Sequence, residues 1–172
     1  GYFDLKKEPI VIKKPRTDLG CSICVNDTYG NCIAIIGTGS ELAAKYGCGY
    51  GDEEEYIFAL VGPEYTGEIP NTIAKISVPT NMAHLLVRIR LQKEEHLTEI
   101  KKLQKEMNPV PLSNYGQNYV YLPGKKKDKE QEFPMTILSH LQTDEVFNIY
   151  NSLVGDNPGL AEDIKYAEKF LE

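Results

Sequence analysis

The sequence predicts an α+β fold, an antiparallel β-sandwich or open barrel followed by C-terminal helices. Three observations carry this expectation. Apolar residues alternate with polar ones along much of residues 1–92, the repeat of half-buried strands. After residue 93 the apolar spacing lengthens to three and four, the repeat of a helix face. Clusters of Gly, Pro, Asn and Asp punctuate the apolar runs, as turns between short strands do. A chain of 172 residues that is 41% hydrophobic and 26% charged can bury its own core without a metal or a disulfide. The expected organisation is a single domain, 1–172, with 1–92 mainly β, 93–108 helix, 109–133 loop and 134–172 a helical tail.

The elements follow in order. Ile10-Val11-Ile12 is bounded by Pro9 and Pro15 and forms the first strand. Cys21 to Val25 and Cys32 to Ile36 flank the turn formers Asn26-Asp27-Thr28-Tyr29-Gly30-Asn31, which predicts a hairpin whose tip needs Gly30 or Asn31 at positive φ. Gly37 to Glu55 reads as a long connection with one helical turn near Glu41 to Lys45. Tyr56 to Val61 is a continuous apolar run suited to a central strand, closed by Gly62-Pro63. Thr72 to Val78 is a further strand. Met82 to Leu91 reads as a strand with Leu85, Val87, Ile89 and Leu91 on one face and His84, Leu86, Arg88 and Arg90 on the other. Leu97, Ile100, Leu103 and Met107 form one helix stripe, with acids early and lysines late to suit the helix dipole. A short strand is expected at Tyr119 to Leu122. Thr143 is the expected cap of a helix with the stripe Val146, Ile149, Tyr150 and Leu153. Asn157-Pro158 is expected to start the last one.

Charge and motifs exclude several function classes. The net charge of −6 and pI of about 5.2 oppose binding to phosphate backbones. The one basic run, Lys125-Lys126-Lys127-Asp128-Lys129, lies beside Glu130 and Glu132 and reads as a solvated loop, so no nucleic-acid partner is expected. No apolar stretch approaches the roughly 20 residues of a transmembrane helix. No signal peptide is visible, although a chain opening on Gly1 rather than Met reads as a processed product or a fragment. No phosphate-binding glycine loop, Gly-x-Ser-x-Gly elbow or His-Glu-x-x-His is present. With three histidines, a histidine-rich metal site is not expected; His96 and His140 read as surface residues. No cofactor is expected.

Three clusters carry possible chemistry. Asp27, Tyr29 and Asn31 at the hairpin tip, with Thr38 at the end of the returning strand, combine a carboxylate, a phenol, an amide and a hydroxyl suited to a polar ligand. The opposing reading is turn chemistry, in which such side chains bond their own backbone. His84, Arg88 and Arg90 project from one strand face, where two guanidiniums can grip a carboxylate or phosphate and His84 can exchange a proton near neutral pH. The opposing reading is a solvent face, or arginines paired with the Asp52 to Glu55 acids. Cys21, Cys24, Cys32 and Cys48 read first as free, mostly buried thiols. Should any pair be joined, cross-strand Cys24–Cys32 is the pair to test. A metal is not expected, because the odd offset sends Cys21 and Cys24 to opposite strand faces.

The order of motifs resembles the bacterial family called domain of unknown function 1254. Phe3-Asp4-Leu5-Lys6-Lys7-Glu8-Pro9-Ile10-Val11-Ile12 resembles its opening strand, and Asn26 to Asn31 its hairpin. Ile36-Gly37-Thr38, Leu60-Val61-Gly62-Pro63 with Gly67, Pro79-Thr80-Asn81 with Arg88, Leu103-Gln104, Pro111-Leu112-Ser113 and Asp156-Asn157-Pro158 resemble later family segments. The chain departs from the pattern where Gly39 replaces an arginine and His84 a tryptophan. The resemblance implies an antiparallel β-sandwich followed by helices, a strand ahead of the opening motif and, often, a second β domain, of unknown function 1214. It also implies the cell envelope or the secreted fraction. The resulting expectation is a non-catalytic binding or assembly module of unknown ligand, with a second β domain or a second copy as partner. The alternative is a hydrolase-like enzyme on a small polar or carbohydrate substrate, in which Asp27, His84 and Arg88 converge in one pocket.

Overall fold

The alternating segments fold as two stacked sheets. The computed structural model describes residues 1–45, 47, 49–50, 54–119 and 134–169, and the chain divides into two compact units, Gly1–Tyr121 and Leu122–Glu172. In the first unit the strands are β1 (Tyr2–Asp4), β2 (Ile10–Lys14), β3 (Cys21–Asn26), β4 (Cys32–Gly37), β5 (Gly49–Tyr50), β6 (Tyr56–Val61), β7 (Ala74–Ser77), β8 (Met82–Ile89) and β9 (Val110–Pro111). Helices α1 (Ser40–Ala44) and α2 (Leu97–Glu106) interrupt them. One sheet has the order β1-β8-β3-β4-β5 and the other β7-β6-β2-β9. Neither closes into a barrel. Pairing is antiparallel except at two edges, where β5 joins β4 and β7 joins β6 in parallel. The expected sandwich is therefore built from two mixed sheets.

Alternation determines what lies between the sheets. Ile23, Val25, Ile36, Ala83 and Leu85 from the five-stranded sheet meet Ile12, Phe58, Leu60 and Ile76 from the four-stranded one in a single buried cluster. Leu103 and Met107 of the predicted helix stripe join this core, while Leu97 stays 40% exposed. The continuous apolar run of β6 is explained by a second cluster on the far face of its sheet, where Val11, Ala59, Val61 and Ile73 pack with Tyr65, Ile69 and Leu112. The four-stranded sheet is thus covered on both faces. On the far face of the five-stranded sheet, Met82 and Leu86 are each 38% exposed.

The hairpin forms as expected, with Gly30 at φ 86°. The Gly37–Glu55 connection contains α1 and the two-residue β5. The strand expected at Tyr119 to Leu122 lies mostly outside the described residues, as does the Lys125 to Lys129 run.

The second unit contains three helices among its described residues, α3 (Pro134–His140), α4 (Thr143–Val154) and α5 (Ala161–Glu168). His140 ends α3 and stands three residues before α4. The cap of α4 is Gln142, one residue before the expected Thr143, and it makes a reciprocal box with Glu145, whose carboxylate accepts the Gln142 N–H at 2.8 Å. Asn157 does not cap the last helix, which begins at Ala161 after Leu160. Its amide instead donates to Leu153 O at 3.1 Å, satisfying a carbonyl at the end of α4.

Candidate functional site

The hairpin tip is held by its own side chains. Asp27 is 1% exposed. Its Oδ1 accepts the N–H groups of Tyr29 and Asn31, both at 2.9 Å, and its Oδ2 accepts Asn31 Nδ2 at 2.8 Å. The carboxylate closes the turn as an acceptor of three donors. The turn is also tied to the strand beyond it. Thr28 N–H donates to Thr80 Oγ1 at 3.1 Å, and the Thr28 and Thr80 hydroxyls donate to Met82 O at 3.0 and 2.7 Å.

Other motif residues interlock in the same way. Asn81 Nδ2 donates to Glu64 at 2.7 Å, and Asn81 O accepts the Leu5 N–H at 2.7 Å. Gly62 faces this contact, where an added Cβ would lie 3.0 Å from Leu5 Cβ and 3.1 Å from Asn81 Oδ1. Glu8 accepts both the N–H and the hydroxyl of Ser113, at 2.8 and 3.0 Å, while Leu112 N–H donates to Pro9 O at 2.9 Å. These segments are far apart in sequence and are joined at the sandwich ends.

Gly37-Thr38 lies at the opposite end of the hairpin from its tip. Thr38 N–H donates to Cys21 O at 2.8 Å, and its hydroxyl accepts Cys21 N–H at 3.1 Å. Five strand residues, roughly 17 Å of extended chain, separate it from Asp27, so the two do not share a site. Gly37 has φ 94° and its Cβ position lies 2.6 Å from Lys14 Cε, which leaves room only for a hydrogen. Lys14 is 0% exposed and donates to Glu54 O at 2.8 Å and Pro15 O at 3.5 Å. Sequence analysis did not single out this cation, although it shares the inward parity of Ile12.

The outer face of the five-stranded sheet collects the remaining candidates. The register places His84 opposite Asn26, Leu86 opposite Cys24 and Arg88 opposite Ser22. His84 stacks on Tyr2 with ring centroids 4.6 Å apart. Arg88 stands four residues along β8 from His84, roughly 13 Å away. Arg90 lies just past the strand, its N–H donating to Gly20 O at 2.7 Å. Of the acids expected to pair with these arginines, Glu55 lies 2.7 Å from Lys13 and Glu54 3.7 Å from Arg16, while Asp52 and Glu53 lie outside the described residues. Arg88 therefore stands apart from His84, which lies opposite the residue before Asp27, and the three do not converge on one pocket. Arg88 does line a cleft of about 560 Å³ with Val87, Ile89, Ile100, Met107 and Pro109, between β8 and α2. The hairpin tip is not part of it.

Cys48 lies outside the described residues, and the other three cysteines divide by face. Cys21 is 1% exposed and its thiol is pushed up by burial, partly opposed by the Lys14 charge. Cys24 and Cys32 lie on the outer face, with their sulfurs 3.4 Å apart and not bonded. Cys32 is pushed up to about 11 by burial, by its contact with the Cys24 sulfur and by the charge that Cys24 takes on. Among the described residues no group of three or more His, Cys, Asp or Glu is placed to hold a metal ion. Among them, too, no helix is long and apolar enough to cross a membrane.

Comparison with known proteins agrees with this architecture. No curated protein matches the chain significantly. Among solved structures, the VPA0106 protein from Vibrio parahaemolyticus superposes with a TM-score of 0.64 at 18% identity. The alignment covers 99% of this chain and 39% of that one, so the chain spans well under half the length of that protein. At this identity the likeness is one of fold. The family described as Protein of unknown function (DUF1254) matches residues 1–111, which include the opening strand, the hairpin, the Gly62-Pro63 turn and the Thr80-Asn81 tie. The chain belongs to the DUF1254 family.

Proposed function

We propose that the chain is a non-catalytic binding or assembly module that seats an apolar segment of a partner between β8 and α2. One observation carries the reading. A cleft of about 560 Å³ lies there, walled by Val87, Ile89, Ile100, Met107 and Pro109, with Arg88 and Gln104 at its rim. An apolar cleft edged by one guanidinium suits an apolar segment that carries an acid.

The distance of Arg88 from His84 and the use of the Asp27 carboxylate within its own turn favour this reading over a hydrolase-like enzyme on a small polar or carbohydrate substrate. The 39% coverage of a longer solved chain is in keeping with a second β domain as the source of that segment. A second copy supplies the same chemistry, and the cell envelope or secreted fraction suits such an assembly.

The test uses light scattering and amide exchange on the chain across a wide concentration range. A mass rising above the 19.4 kDa monomer, with the Val87 and Ile89 amides becoming protected, is the expected result. Val87→Glu sets a charge in the cleft wall at a position 42% exposed, so it abolishes association while leaving Tm within a few degrees. A concentration-independent monomer whose Val87 and Ile89 amides exchange freely overturns the reading.

A further inference from the structure

We propose that Cys24 and Cys32 form a modification site that undergoes thiol–disulfide exchange with small aliphatic disulfides and closes to a cross-strand disulfide. The site is made by a register break. The β3–β4 ladder pairs Val25 with Ala34 and then Asn26 with Cys32, which leaves Ile33 as the extra residue of a bulge. The bulge lets Ile33 pack against the core and brings Cys32 out beside Cys24. Their sulfurs are in contact at 3.4 Å. Closure to a bond of about 2.05 Å moves each sulfur by well under the length of one side-chain rotamer change. The surroundings are accessible, with Cys32 exposed and Cys24 partly so. The Cys24 sulfur also lies 3.4 Å from Asn26 Oδ1 and the Cys32 sulfur 3.9 Å from Ala34 O. Cys21, by contrast, faces the core and is shielded.

The chemistry balances in two steps. The thiolate is the attacking species, and the thiolate of one of the two cysteines attacks one sulfur of R–S–S–R, forming a mixed disulfide and expelling RS⁻. The other sulfur lies 3.4 Å away, and as its thiolate it attacks the capped sulfur, forming the intramolecular bond and expelling a second RS⁻. The two protein protons pass to the two leaving thiolates. R–S–S–R is the oxidant, reduced to two R–SH.

The test treats the fully reduced chain with oxidised glutathione and maps the product by peptide mass spectrometry. The expected result is a Cys24–Cys32 crosslink with loss of two hydrogens, release of two glutathiones per site, and no lasting glutathione adduct on either cysteine. Cys32→Ser stops at a stable adduct on Cys24, and Cys24→Ser at one on Cys32. The closed nine-residue ring raises Tm by up to about 10 °C, reversibly with dithiothreitol. A lasting adduct on the parent chain, an intermolecular crosslink as the main product, or no reaction at either cysteine overturns the proposal. Circular dichroism of each serine variant establishes that the hairpin is folded.

Discussion

Replacing Asp27 separates turn chemistry from ligand binding. The carboxylate accepts three hydrogen bonds within the tip and is 1% exposed. A bond to a charged acceptor contributes roughly 1.5–3 kcal/mol. Tyr29 is 42% exposed, so water recovers part of the loss when the acceptor is removed. Asp27→Ala is then expected to cost about 3 kcal/mol. Unfolding entropy near 2.1 cal/mol/K per residue, over the unit Gly1–Tyr121, comes to about 0.25 kcal/mol/K, so Tm falls by roughly 12 °C. Asp27→Asn keeps an acceptor for the two backbone N–H groups but sets a donor against Asn31 Nδ2, which gives a smaller loss. Combining Asp27→Asn with Asn31→Asp reverses donor and acceptor and restores the match. The double-mutant cycle should show a favourable coupling of at least about 1 kcal/mol. Scanning calorimetry supplies all four Tm values. A Tm for Asp27→Ala within about 2 °C of the parent refutes the argument, because the carboxylate would then be free for another task.

Two further outcomes follow from the hairpin's other end and from its thiols. Gly37→Ala places a methyl against Cys21 O and Lys14 Cε at positive φ and should cost at least about 3 kcal/mol from strain and overpacking together. Gly39→Ala, at φ 91° but with nothing within 4 Å, should cost only about 1 kcal/mol; equal losses in urea titrations would remove the steric explanation. Alkaline pH should destabilise the reduced chain. Thiols of the unfolded chain ionise near about 8.5, whereas folded Cys32 holds its proton to about 11 and Cys21 is also raised. Between these values the folded state binds more protons than the unfolded one, so stability falls as pH rises. Cys32→Ser should flatten the decline of Tm across that window, and an unchanged slope would count against the raised thiol.

What was legible in the sequence follows the physics of each element. Strands with alternating or continuous apolar residues, β2, β3, β4, β6 and β8, were read at nearly their true limits, because their side chains alone determine which face is buried. β1, β5 and β9 span two or three residues each. Such edges form because a neighbouring strand offers hydrogen bonds, a cause that has no local signature. Asn157 was legible as a cap but not as a cap of the preceding helix, since both roles use the same side-chain chemistry. The interior position of Lys14 was legible in principle, because parity puts it on the Ile12 face. Charge argued the other way, and acceptors such as the carbonyl of Glu54, forty residues on, make burial tolerable.

The residues that carry the family likeness are mostly those that hold the sandwich ends together. Asp27 closes its own turn, Thr80 joins Thr28 to β8, Asn81 joins Leu5 to Glu64, Gly37 makes room for Lys14 and Glu8 holds Ser113. Apart from the Asp27 turn, these ties link segments that the chain must bring together over long loops, where closure entropy opposes folding and a specific bond must offset it. A motif of this kind reports on architecture. The functional surface is then better sought among side chains that the interlock leaves unused. With both faces of the four-stranded sheet packed by apolar clusters, those side chains gather on the five-stranded sheet: Tyr2 and His84 at one end, Cys24 and Cys32 along the hairpin, and the β8–α2 cleft with Arg88 at the other. Substitutions there should change association or thiol chemistry while leaving Tm nearly unaltered, the reverse of what is expected at Asp27 and Gly37.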